Sequence, residues 1–180
     1  MNRRRTIAAV IAAVLIAAVG ASQYWVLRGR VAAVEPGRLY RSALLSPDRL
    51  LDVCRRHGIT TVVDFRKEPE EARAEANVLA RAGIRHVNLP TGQVPSAETV
   101  AQFLLLMDAT RGQPVLIHCR HGVGRTGVFG AIYRMEYQGW PRWLAITEAM
   151  VFSGFDSFGP GNSKAEFLSR YTPRRSGRTP

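Results

Sequence analysis

Cys119 and Arg125, six residues apart with glycines between them, are the residues of this chain best placed to do chemistry. In Val115-Leu116-Ile117-His118-Cys119-Arg120-His121-Gly122-Val123-Gly124-Arg125-Thr126-Gly127, a short apolar run leads into the cysteine, and a helical pattern opens at the arginine. Such a run reads as a buried strand, so Cys119 stands at a strand end and Arg125 at a helix start. Gly122 and Gly124 let the intervening backbone curl with its N–H groups turned inward, which makes an anion nest at a helix N-terminus. The positive field there favours the thiolate of Cys119. Arg125 offers two phosphate oxygens a planar fork that lysine lacks. The Thr126 hydroxyl is placed to hydrogen-bond the sulfur and help it leave in a second step. Attack by sulfur on phosphorus is the chemistry this pattern suits.

Other uses of these residues fit less well. Metal ligation by Cys119, His118 and His121 is disfavoured, because adjacent residues point apart and no second ligand pair exists. A merely buried cysteine would need neither Arg125 nor the glycines. Sulfur transfer also uses a loop cysteine, but the Arg125-Thr126 end argues for phosphate. Cys54, among Leu50, Leu51 and Val53, reads as core, and neither His57 nor His86 is assigned a role.

The stretch from His118 to Thr126 matches the pattern H-C-x-x-G-x-x-R-[ST] at every defined position. The chain therefore resembles the cysteine-dependent protein tyrosine phosphatase superfamily. Leu39-Tyr40-Arg41-Ser42 and Gly58-Ile59-Thr60-Thr61-Val62-Val63-Asp64-Phe65-Arg66 are similar to its atypical dual-specificity branch of bacteria, fungi and plants, over residues 36–172. The resemblance implies a metal-free, cofactor-free, two-step mechanism. Cys119 forms a phosphocysteine; Arg125 and the loop amides of Arg120, His121, Gly122, Val123 and Gly124 hold the oxygens; water then releases phosphate. His118 would order the loop and favour the thiolate. The implied substrates are phosphotyrosine, phosphoserine or phosphothreonine in proteins, or inositol phosphates and phosphoinositides. Arg120 and His121, with Arg41 and Arg66 at the rim, would suit a highly phosphorylated ligand.

One usual feature of that superfamily is missing. Its general acid is an aspartate in the loop before this strand, and here the loop reads Leu89-Pro90-Thr91-Gly92-Gln93-Val94-Pro95-Ser96. Protonating a leaving oxygen contributes about 10²- to 10⁴-fold, so the gap matters. Asp64, Glu68, Glu98 and Asp156 are candidate replacements. A leaving group that needs little help, such as an aryl phosphate or phosphoanhydride, is a second explanation. A catalytically silent phosphate-binding pseudophosphatase or scaffold is the alternative function.

The elements that must position the motif follow from apolar period and punctuation. Strands are expected over 37–42, 60–65, 84–89 and 115–119. Helices are expected over 47–57, starting at Ser46-Pro47-Asp48 and stopped by Gly58, over 70–82, and from a Ser96 cap to about 110. Further helices fit 125–138, 141–152 and 163–171. The alternation predicts an α/β fold with a central, mostly parallel sheet flanked by helices, whose ligand site lies beyond the strands' carboxyl ends.

The chain has 180 residues, 46% hydrophobic and 22% charged, which suits one catalytic domain and excludes disordered, collagenous and coiled-coil classes. Two cysteines exclude a disulfide scaffold. The net charge of +11 invites nucleic acid, but the arginines are scattered and no reader motif accompanies them, so no nucleic-acid partner is expected. After the basic residues 1–6 an uncharged run over 7–27 is long enough to cross a bilayer, with Tyr24-Trp25 and Arg28 resembling an interface belt. It predicts a single-pass N-terminal membrane anchor, or a signal peptide, with the catalytic domain leaning extracytoplasmic. A linker over 28–35, a phosphatase domain over 36–172 and a disordered basic tail over 173–180 complete the expected organisation.

Overall fold

The computed structural model describes residues 7, 10, 11, 14, 29–154, 157–159 and 161–174. The chain divides into two compact units, 1–30 and 31–180. In the first, Ile7, Val10, Ile11 and Val14 are helical and exposed. Among the described residues no helix is long and apolar enough to cross a membrane. The single-pass anchor expected over 7–27 is corrected on that finding, together with the membrane localisation, the membrane partner and the extracytoplasmic side derived from it. The expectation leaned on alanine, which is weakly apolar, and on a run that thins into Gly20, Ser22 and Gln23. Most of 7–27 lies outside the described residues.

The second unit is built on a five-stranded sheet: β1 (Ala32–Glu35), β2 (Leu39–Ser42), β3 (Thr61–Asp64), β4 (Arg85–Asn88) and β5 (Val115–His118), in the order β1-β2-β5-β3-β4. β2, β5, β3 and β4 pair in parallel, and β1 pairs antiparallel with β2. The mostly parallel sheet is as expected, but β1 arises in the stretch read as a linker and makes the sheet mixed.

Among the described residues six helices cover it: α1 (Pro47–His57), α2 (Pro69–Arg81), α3 (Ala97–Ala109), α4 (Gly124–Tyr137), α5 (Arg142–Phe152) and α6 (Ser163–Arg170). Their ends follow local chemistry. Pro47 occupies the first turn of α1 and Gly58 ends it in the left-handed conformation at φ 62°. Ser96 Oγ accepts the Thr99 N–H to start α3.

Burial fixes the sides. Leu50, Val53, Cys54 and Leu79 from α1 and α2 pack with Tyr40, Val62 and Leu116 on one face of the sheet. Phe103, Met107, Val128, Phe129, Ile132, Ala145 and Leu168 from α3 to α6 pack with Leu39, Val63 and Ile117 on the other. Each such large side chain contributes about 1.5–3 kcal/mol by leaving water. The chain enters β3 and β4 through helices on the first face and returns to the central β5 through α3 on the second. That reversal leaves a crevice at the carboxyl end of β5, where parallel sheets bind ligands. Cys119 follows β5 at this point.

Candidate active site

The strand register brings three segments to the end of β5. Ser42 of β2 and Asp64 of β3 both pair with His118. The loop after Cys119 is tied to both sides: Leu44 N–H donates to the Arg120 carbonyl at 3.2 Å, and Phe65 N–H to the His118 carbonyl at 3.0 Å. Gly122 shows why this loop needs glycine. Its φ is +69°, and a Cβ would fall 2.5 Å from the Ala43 nitrogen and 2.7 Å from the Ser42 carbonyl carbon. Only a residue without a side chain allows that approach to the end of β2.

α4 begins at Gly124, and Val123 before it supplies no side-chain cap. First-turn N–H groups are thereby left for an anion, on the positive end of the helix. Arg125 donates from Nη1 to the Phe65 carbonyl at 2.7 Å, which fixes the guanidinium beside the loop. Phe65 is itself held by stacking on Phe129, with centroids 4.1 Å apart, and by Phe103 at its edge. Thr126 is fully buried, and its hydroxyl makes no hydrogen bond among the described residues.

Cys119 is 3% exposed and faces the core of α3 to α6, whereas His118 turns to the other side of the sheet. There His118 Nε2 meets Glu75 Oε1 at 2.7 Å. Glu75 also accepts from Arg66 at 2.9 Å, and His86 stands 3.3 Å from it. Burial alone would push the Glu75 carboxyl up, but His118, His86 and Arg66 together hold it at about 2. Glu75 was missed from sequence. Glu71 and Glu75, four apart on one face of α2, were the available signal.

Arg120 is exposed and paired with Glu71 at 3.1 Å and Glu68 at 3.5 Å. His121 is exposed at the turn of the loop. Arg41 and Arg66 are each 2% exposed, so neither stands at a rim. Arg66 closes on Asp64 with Nε and Nη2, reaching Oδ2 at 3.0 and 2.8 Å. Asp64 and Glu75 each offer an oxygen near His86, all within 4.8 Å. Arg66 already neutralises both carboxylates, which makes the cluster an ion-pair network and a poor cation site.

The acid candidates separate in the same way. Asp64 is clamped by Arg66. Glu68 faces Arg120, and Glu98 is exposed at the start of α3, accepting from Gln102. Asp156 lies outside the described residues. The structure brings two other side chains to the loop, Gln93 and Lys164, both packed over Gly124.

Residues 48–158 match the model of a family described as "DSP-PTPase phosphatase fused to NAD+ Kinase". The chain belongs to this DSP-PTPase phosphatase family. Among its DSP-PTPase relatives, the dual specificity protein phosphatase TpbA of Pseudomonas aeruginosa is 40% identical over 119 residues, 65% of this chain and 51% of that protein. The chain thus spans about half the length of the curated relative it matches. The TpbA crystal structure is 31% identical with a TM-score of 0.63, covering 80% of this chain and 86% of that one, and TpbA has also been crystallised in complex with phosphotyrosine. The core catalytic domain of the PP-IP phosphatase SIW14 of S. cerevisiae, 22% identical with a TM-score of 0.66 over 79% of this chain and 85% of that one, shares the fold.

Proposed function

We propose that this chain is a cysteine-dependent phosphatase that hydrolyses phosphate monoesters through a phosphocysteine. The observation that carries the reading is the loop from Cys119 to Arg125: a nucleophile at a strand end, an uncapped helix start, and a guanidinium anchored to Phe65 beside them. Cys119 Sγ attacks phosphorus as the ester P–O bond breaks. The N–H groups of Arg120 to Gly124 and the Arg125 fork hold the equatorial oxygens while charge shifts onto them. Water then bonds to phosphorus, the S–P bond breaks, and phosphate leaves. Thr126 is the hydroxyl available to receive the departing sulfur. His118, turned away from the pocket and tied to Glu75, acts through the loop it orders.

Substrates are phosphotyrosine and phosphoserine or phosphothreonine side chains, with inositol phosphates as the small-molecule counterpart. The TpbA relative, called a dual specificity protein phosphatase and crystallised with phosphotyrosine, supports the protein side of that choice. The Arg120 side chain, held by Glu71, leaves recognition of the phosphate to the loop backbone and Arg125.

Hydrolysis of para-nitrophenyl phosphate under reducing conditions tests the reading. Turnover is expected in the wild type, none in Cys119→Ser, and a loss of about 10²- to 10³-fold in Arg125→Ala. A folded wild type that turns over no aryl phosphate would overturn it.

A further inference from the structure

Among the described residues no carboxylic acid is placed to supply the proton that the reaction needs. The leaving oxygen must take one, yet Asp64 is spent on Arg66, Glu68 faces Arg120, and Glu98 lies exposed at the start of α3. A different donor stands beside the loop. Lys164, in the first turn of α6, is only 7% exposed. Its stem lies over Gly124, where a Cβ would meet Lys164 Cε at 3.6 Å, Cδ at 3.7 Å and the Gln93 side-chain oxygen at 2.7 Å. α6 and the aspartate-free loop 89–96 therefore converge on the residue before Arg125. Among the described residues the Lys164 ammonium forms no ion pair or hydrogen bond, and the Phe158 ring, 5.9 Å away, is its aromatic neighbour. Burial lowers its pKa from the ordinary lysine value.

Composition sharpens the point. Lys67 and Lys164 are the only lysines among 25 basic residues. An arginine cannot release its proton in a protein, whereas a desolvated lysine can release and recover one. A buried lysine with no counter-ion among the described residues, pressed on the phosphate loop of an arginine-rich chain, is suited to proton transfer as well as to charge.

We propose that Lys164 is the general acid and base of the reaction, a proposal that rests on the phosphocysteine reading above. In the first step the Sγ–P bond forms, the P–O bond breaks, and the leaving oxygen takes a proton from Nζ, which becomes a neutral amine. In the second step that amine accepts a proton from the attacking water, the new O–P bond forms, and sulfur leaves as thiolate. The ammonium is restored and no other reagent is consumed. Among the described residues, Arg125 on α4 and Lys67, whose Nζ reaches Gly92 of the loop 89–96, are further charged side chains at this place, and Gln93 from the loop is neutral.

The test compares kcat/KM for para-nitrophenyl phosphate, phenyl phosphate and β-glycerophosphate in the wild type, Lys164→Met and Lys164→Arg. A donor matters most where the leaving oxygen is most basic, so both variants are expected to stay within about threefold on para-nitrophenyl phosphate and to lose about 10²-fold or more on β-glycerophosphate. An unchanged melting temperature, with Cys119 still labelled by iodoacetamide, shows that the loop and fold survive. Equal losses on all three esters would assign Lys164 to binding or folding, and full activity in Lys164→Arg would assign it to charge alone; either overturns the proposal. So does loss of the β-glycerophosphate reaction in Asp156→Asn when Lys164→Met retains it. No turnover by the wild type on any ester would instead remove the phosphocysteine reading beneath it.

Discussion

Two arginines, each 2% exposed, flank the strand that delivers Cys119, and they are solved in opposite ways. Arg66, just after β3, meets Asp64 with two nitrogens, Glu71 at 2.9 Å and Glu75 at 2.9 Å. Burial pulls its guanidinium down, but the bonds and charges of Asp64, Glu75 and Glu71 more than restore it. Arg41, on β2, stacks its guanidinium 2.9 Å from the centre of the Phe152 ring, while Nε and Nη2 find no partner among the described residues. Burial holds it well below its ordinary pKa, with Glu148 and Cys119 offsetting part of that and Arg134 adding to it. The first arginine is a clip that fastens β3, α2 and, through Glu75, His118. The second is an underpaired cation whose field reaches the nucleophile. Equal burial of the same side chain therefore predicts unequal consequences.

Removing each charge separates the two most strongly. Arg66→Met leaves Asp64 and Glu75 buried without their cation, and it is expected to cost about 3–5 kcal/mol in urea unfolding. Arg41→Met exchanges an underpaired guanidinium for an apolar chain of similar length and is expected to change stability by no more than about 1 kcal/mol. Equal losses in the two variants would erase the distinction.

Acid probes the clip from its other end. Glu75 titrates at about 2 in the folded protein against an ordinary value of 4.5. A carboxylate with a depressed folded pKa contributes stability above its unfolded value and loses it as pH falls toward the folded one. On the order of 3 kcal/mol is expected to disappear between pH 4.5 and 2, and Glu75→Gln should flatten that part of the stability curve. An unaltered acid limb in the variant would remove Glu75 from the network's energetics.

What was legible beforehand divides along similar lines. The phosphate loop could be read because its parts are covalent neighbours: Cys119, Gly122 and Arg125 declare their roles by spacing alone. α1 was legible from Pro47 to Gly58 because both ends carry their own stop signals. β1 was not, since Ala-Ala-Val-Glu shows no alternation and becomes a strand only by pairing with β2. Arg41 and Arg66 looked alike in sequence, and the partners that distinguish them lie on α2 and α5. Lys164 sits on α6, far along the chain from the loop, with nothing local to mark it. Long-range convergence is the information that a linear reading lacks. The tail shows this on a small scale: Arg174, expected to be disordered, pairs with Asp108 at 2.9 Å and Glu136 at 3.1 Å, while 175–180 lie outside the described residues.

A glycine pair tests the β2 side more gently. Gly122 and Gly112 both have positive φ, +69° and +79°, but a Cβ at Gly112 meets nothing within 4 Å. Gly112→Ala is expected to cost about 1 kcal/mol, the conformational term alone. Gly122→Ala adds a collision with the Ser42–Ala43 backbone, for a total of about 2 kcal/mol or more, with phosphatase turnover falling alongside. Matching losses in the two variants would mean that the loop does not lean on β2.

The smallest effect concerns Arg41 and the sulfur. Iodoacetamide should label Cys119 and spare Cys54, because burial, reinforced by the charge of Glu75, pushes the Cys54 thiol up to about 11. Cys54 then serves as a silent internal reference. The charges of Arg41 and Cys119 interact across the β2–β5 pair, so Arg41→Met should slow labelling of Cys119 at pH 7 by about three- to tenfold. Arg66→Met, if folded, should alter that rate less, since its charge is consumed by three carboxylates. Labelling that slows more in Arg66→Met than in Arg41→Met would reverse the assignment, making the clip the source of the field and Arg41 the bystander.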